Sequence, residues 1–152
     1  MDYKSRAVLS LVELHEREMR TFLETWRQFV ASDAPMPEAR GDSRYESRET
    51  LGAHVLMAAR GYLTWMGECA GRPVTDVDLS PDAHVIYARA PQFVEEVLAA
   101  WRRHMPAFTD EEIERKGFVS RWGEPYTVEQ MLEHAVVHPM RHRFQLQRIL
   151  ER

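Results

Sequence analysis

The residues in this chain best suited to chemistry are three histidines, His134, His138 and His142, in the stretch Thr127–Arg152, TVEQMLEHAVVHPMRHRFQLQRILER. The stretch reads as one long helix, on which residues four apart drift by only ~40°, so the three rings form a stripe. With His138 as reference, Met131 and Ile149 fall within about 20°, Ala135 at ~60° and Leu146 at ~80°. His138 is therefore near the middle of the apolar face, His142 lies ~40° further in, and His134 lies at the opposite edge. Two inward imidazoles one turn apart are a usual way to hold a transition metal. The competing reading is a pair of core histidines, each needing its own buried partner, and spacing alone does not choose between them. A zincin protease is excluded, because that chemistry needs Glu directly after the first His, and Pro139 stands there in HPMRH.

Two more histidines fall on or near apolar seams. His15 belongs to the series Val8, Val12, His15, Met19, Phe22, Trp26, Phe29, whose 4-3 spacing is the seam of a bundle helix. It is a fourth ligand, a donor to the ligands, or a core histidine bonded to another side chain. His54 lies ~40° from Ala58, at the edge of the seam Leu51, Val55, Ala58, Tyr62, Trp65, Cys69, where it can reach into the gap beside a neighbouring helix. Cys69 is about four turns from His54, roughly 22 Å along the axis, too far to share a site. It reads as a small core residue.

These positions demand helices to present them. Helix 1 is expected over Tyr3–Ala31, with the run Glu13, Glu16, Arg17, Glu18, Arg20 as a solvated face. Residues 32–46 hold prolines and a glycine and read as a loop. Helix 2 runs from Ser47, an N-cap, to Cys69 or Ala70, ended by Gly71 and Pro73. Residues 71–90 are irregular: Ser80-Pro81 can start a helical turn and His84–Ala88 can be extended. Helix 3 is expected to begin at Pro91, which suits a first helical position, and to bury Phe93, Val94, Val97, Leu98, Trp101 and Met105. Thr109 and Glu112 make a capping-box pattern for a turn or two closed by Gly117. Phe118–Tyr126 alternates around Trp122-Gly123 and suggests a small hairpin. Thr127 and Gln130 cap helix 4, in which Pro139 should bend the axis. The expected fold is all-α: residues 1–152 as a single domain, an up-and-down-type four-helix bundle with long connections and a small hairpin before helix 4.

Composition sets the outer bounds. The chain has 152 residues, 44% hydrophobic and 29% charged, ordinary for one globular domain. Its 24 acidic and 20 basic residues give a net charge of −4, so no electrostatic case exists for nucleic acid or an anionic membrane. A single cysteine excludes an internal disulfide and fits a reducing cytoplasm. No signal-peptide pattern and no apolar run of ~20 residues is seen.

The helix 2 segment Thr50-Leu-Gly-Ala-His54-Val-Leu and the helix 4 segment His134-Ala-Val-Val-His138-Pro-Met-Arg-His142-Arg143-Phe144-Gln145 resemble the DinB/YfiT-like family of metalloenzymes. That family has a four-helix bundle, a ligand histidine early in helix 2 and a helix 4 motif H-x-x-x-H-x-x-x-H-R-G-Q. The resemblance spans nearly the whole chain in helix order and departs at Pro139 and at Phe144, where the family often has Gly. By position it implies His54, His138 and His142 as metal ligands and His134 as a non-ligand. Three imidazoles suit zinc or nickel and leave a coordination position open. The resemblance further implies a transferase acting with a low-molecular-weight thiol; Arg143, next to the last ligand, is either a partner for a carboxylate on that thiol or a solvated charge near the helix C-terminus. The alternatives are a metal-dependent hydrolase, for which no carboxylate base lies on the histidine stripe, and a non-catalytic bundle with a structural metal or a protein-interaction role. A homodimer is expected from the resemblance and from an aromatic surplus: Trp26, Trp65, Trp101, Trp122, Phe93 and Phe108. Ordinary imidazoles would release metal below about pH 6.5.

Overall fold

The computed structural model describes residues 2–77 and 82–152; the Ser80-Pro81 turn lies outside them. The described chain is mostly helical. Its elements are α1 (Arg6–Ala31), α2 (Arg48–Cys69), α3 (Ala83–His104), the short α4 (Asp110–Glu114), strands β1 (Phe118–Val119) and β2 (Pro125–Tyr126), and α5 (Val128–Leu150). Single 3-10 turns lie at Ser43–Tyr45 and Met105–Ala107. The most extensive helix contact is α1 with α5; α2 packs on both α3 and α5, α1 also touches α3, and α1 meets α2 only slightly. Among the described residues, no helix is long and apolar enough to cross a membrane.

The helix starts are set by side-chain caps. Ser47 and Thr50 open α2, Thr109 and Glu112 open α4, and Thr127 and Gln130 open α5, each as a reciprocal capping box that satisfies two otherwise orphaned backbone donors. β1 and β2 pair antiparallel, Phe118 with Tyr126 and Val119 with Pro125. Gly123 in the connecting turn has φ +89°, a conformation costly for any residue with a Cβ. Trp65 Nε1 donates to the Val119 carbonyl at 3.0 Å and ties the hairpin to α2.

Helix α3 departs from expectation. It starts at Ala83, capped by Asp82, whose carboxylate accepts from the His84 and Val85 amides. Pro91 therefore lies inside it and not at its first position. An interior proline forfeits one ladder bond and costs about 3 kcal/mol. Ile86 and Ala90, both buried at a four-residue spacing, add burial to the cap and hold the two turns before Pro91. α5 likewise continues through Pro139, itself buried.

α2 is buried on far more of its circumference than one seam. Leu56, Ala59, Leu63 and Met66 join Leu51, Val55, Tyr62 and Trp65 in the core. Two features fix where α2 begins. The Arg48 guanidinium donates to the carbonyls of Phe29, Val30, Ser32 and Ala34, completing acceptors that the end of α1 leaves open. In return Trp26 Nε1 donates to the Arg48 carbonyl at 2.9 Å. The Trp26 ring also lies against Gly52, where an added Cβ would run into it. The glycine two residues before His54 thus lets the Trp26 ring of α1 seat directly on the α2 backbone.

Five of the six aromatics in the surplus are in this core: Trp26, Trp65, Trp101, Phe93 and Phe108 are each at most 5% exposed, and Trp122 alone is open, at 47%. The aromatic content therefore does not argue for a second copy.

Candidate metal centre

Ser47 and Arg48 anchor the start of α2, which carries His54 in its second turn; α5 carries His138 and His142 in its middle. The α2–α5 contact brings the three rings together, with one nitrogen from each lying within 4.8 Å of the others. The Nε2 atoms of His54 and His138 are 2.9 Å apart. Two imidazoles bound to one zinc at ~2.0–2.1 Å would have nitrogens about 2.9 Å apart at a right angle and about 3.3 Å apart at a tetrahedral angle. The separation fits two ligands of one ion, and without an ion it is a hydrogen bond from one ring to the other. His138 and His142 are buried, while His54 is partly open.

The remaining nitrogens define what the rings can do. His142 Nδ1 contacts Gln145 Oε1 at 3.3 Å, so that nitrogen carries the proton and Nε2 keeps its lone pair. His142 Nε2 is buried with no hydrogen-bond partner, as is His138 Nδ1. An orphaned buried acceptor is costly; a cation at the cluster would satisfy the one on His142. Gln145 also accepts from Tyr45 Oη at 3.3 Å, an outer contact of the kind that orients a ligating imidazole.

Burial keeps all three rings neutral. Desolvation pushes His54 and His142 down to about 4 and His138 to about 2, with repulsion between the rings adding to the effect at His54 and His138. The positive charge of Arg141 acts in the same direction on all three. Neutral imidazole is the form that binds metal.

The other histidines are placed elsewhere. His134 stands among Tyr62, Trp122 and Tyr126, ring centroids 5.0 to 6.2 Å away, and stacks 6.1 Å from His138. It is outside the converging trio. His15 is also outside it. The expected side-chain partner is missing: both ring nitrogens are buried without a hydrogen bond, and the ring stacks on Trp101 at 3.9 Å. Desolvation lowers it to about 3, so it fills the core as a neutral ring. Cys69 packs partly buried against the core, and burial raises its thiol to about 11.

Arg143 is committed within the fold. Its guanidinium donates to Glu18 Oε2 at 2.9 Å and to Gln147 at 3.2 Å, and it lies over the Phe144 ring. Glu18 is 4% exposed, so it leaves the solvated face expected for its neighbours and joins α1 to α5. Glu18 also accepts from the exposed Arg17 at 3.2 Å, so loss of Arg143 leaves the buried carboxylate with one partner of two. Arg143→Ala should therefore destabilise the protein by about 2 kcal/mol, read by denaturant unfolding, while leaving zinc affinity unchanged; a loss of affinity at unchanged stability would place Arg143 in ligand binding.

The groups around the trio that sequence reasoning passed over are Tyr45, Gln145, Arg141 and the Asp42–Arg44 ion pair. Asp42 and Arg44 act electrostatically on both His54 and His142. Arg44 holds the Asp42 carboxyl down to about 2. Gln145, three residues after His142 and so on the same face, was the one with a sequence signal. The others sit in a proline- and glycine-bearing loop or one step off the stripe. Comparison with protein-family models, with curated proteins and with solved structures finds no match.

Proposed function

We propose that this chain is a DinB-like four-helix-bundle protein in which His54, His138 and His142 hold one divalent transition metal, zinc or nickel, and that it acts as a transferase using a low-molecular-weight thiol. The observation that carries the metal is the convergence of three neutral imidazoles from two helices, two of them buried and one with an unsatisfied lone pair. The residues fit a divalent ion: three nitrogen donors with an amide behind one of them. A metal held there supplies Lewis acidity and keeps a sulfur ligand in its anionic, nucleophilic form.

The protein's own groups have distinct roles in this reading. Gln145 fixes the tautomer of His142. Arg141, which lowers all three rings electrostatically, favours an anionic reactant beside them. Cys69, distant along α2 and with a raised pKa, does not supply the sulfur, so the thiol comes from outside. Hydrolysis is less well served, because the carboxylate felt by His54 and His142 is Asp42, which Arg44 occupies. A structural metal stapling α2 to α5 is the second reading, favoured by the burial of His138 and His142.

The deciding experiment is a screen of low-molecular-weight thiols with a simple electrophile, comparing metal-loaded protein, metal-free protein and His142→Ala. Turnover confined to the loaded wild type supports the transferase. Equal rates in all three with every thiol would leave the structural reading.

A further inference from the structure

A cleft of about 730 Å³ runs along the outer face of α5 next to the histidine trio. It meets the trio at Tyr45 and Gln145, the pair hydrogen-bonded behind His142. Its walls combine two kinds of side chain. Val137, Met140, Phe144 and Ile149 give an apolar surface, with Val137 53% and Phe144 49% exposed. Arg141, Arg148 and Arg152 supply three cations, and no acidic residue lines the cleft.

Several arginines elsewhere on the helices are already paired. Arg20, Arg102 and Arg103 are each matched to a carboxylate. Arg141, Arg148 and Arg152 have no ion pair among the described residues. Guanidinium groups stay charged and match carboxylates in a fork geometry. A cleft of this size, mostly apolar with a few placed charges, is within the range of small-molecule sites. Arg141 and Arg148 are seven residues apart, or about 10 Å along the helix axis.

We propose that this cleft takes an amphiphilic organic dianion. One acid group is held by Arg141 beside the histidines, an apolar middle lies on Met140, Phe144 and Ile149, and the second acid reaches Arg148 and Arg152. The ligand's role as substrate rests on reading the trio as a metal centre, but its binding requires no metal. The Arg141 end presents the reacting part of the molecule to the trio, and the far arginines select its length.

Calorimetric titration of the whole protein, zinc-loaded and metal-free, with sebacate, decanoate and 1,10-decanediol tests this. Sebacate is expected to bind both forms, decanoate about tenfold more weakly through loss of one charge-assisted contact, and the diol not at all. Arg148→Gln is expected to weaken sebacate about tenfold with zinc affinity and melting temperature unchanged. The inference is overturned if no acid binds, if the diol binds as well as sebacate, or if Arg148→Gln changes nothing. It is also overturned if sebacate binds only the zinc-loaded form, since the metal alone would then be the receptor. Zinc binding without sebacate selectivity removes this inference and leaves the metal reading intact; sebacate selectivity without zinc binding does the reverse.

Discussion

Alanine at His138, His142 or His54 should each lower zinc affinity by more than a hundredfold, measured by competition with a chromophoric chelator. The estimate divides an apparent zinc-binding free energy of ~10 kcal/mol over three imidazoles, about 3 kcal/mol each. Gln145→Ala should cost about tenfold, the usual scale for an outer partner that orients a ligand. His134→Ala should change affinity little, because His134 stands among Tyr62, Trp122 and Tyr126 and outside the trio. An essential His134 with a dispensable His54 would move the site onto α5 alone and undo the α2–α5 assignment.

Zinc should stay bound well below the pH at which an exposed imidazole lets go. His54 and His142 are pushed down to about 4 and His138 to about 2, chiefly by desolvation, so protons compete for the folded site only near pH 4, not from about 6.5. Affinity at pH 5.5 should then nearly equal affinity at pH 7.5. The sign for stability follows from the same shifts. Folded pKa values below the unfolded value mean that the unfolded chain takes up protons first, so stability is fully present above about 6.5 and falls as pH drops toward the folded values. His15, lowered to about 3, contributes with the same sign. Calorimetry of the metal-free protein should show a flat melting temperature above pH 6.5 and a steep decline toward pH 4. An affinity that tracks an ionisation at 6.5 would mean that the rings are solvated.

The helices, most of their ends and the hairpin were legible in the sequence because each carries a local signal. Ser47 is a cap, Thr109 and Thr127 are caps with a partner three residues on, and the inward faces repeat at helical spacing. The histidine stripe likewise placed His138 and His142 inward and His134 at the edge. The start of α3 was hidden because a proline at position 91 satisfies two rules, first helical residue and tolerated interior break, and only the burial of Ile86 and Ala90 distinguishes them. Glu18 was misread as solvated although it falls on the stripe His15, Glu18, Phe22, Thr25, Phe29, all buried; its charge masked the period. Its partner Arg143 is 125 residues away along the chain, and no local pattern links the two. The approach of α2 to α5 that adds His54 to the trio is likewise a tertiary fact. In the sequence His54 was only an edge histidine, and the resemblance made it a ligand.

X-ray absorption at the zinc edge, on protein loaded with one equivalent, tests the three-imidazole centre most directly. The expected spectrum has three imidazoles with Zn–N near 2.0–2.1 Å, a remaining light-atom ligand and no sulfur from the protein, and it loses one imidazole in His54→Ala. A first shell of oxygens alone, or one containing the Cys69 sulfur, would contradict the assignment of His54, His138 and His142.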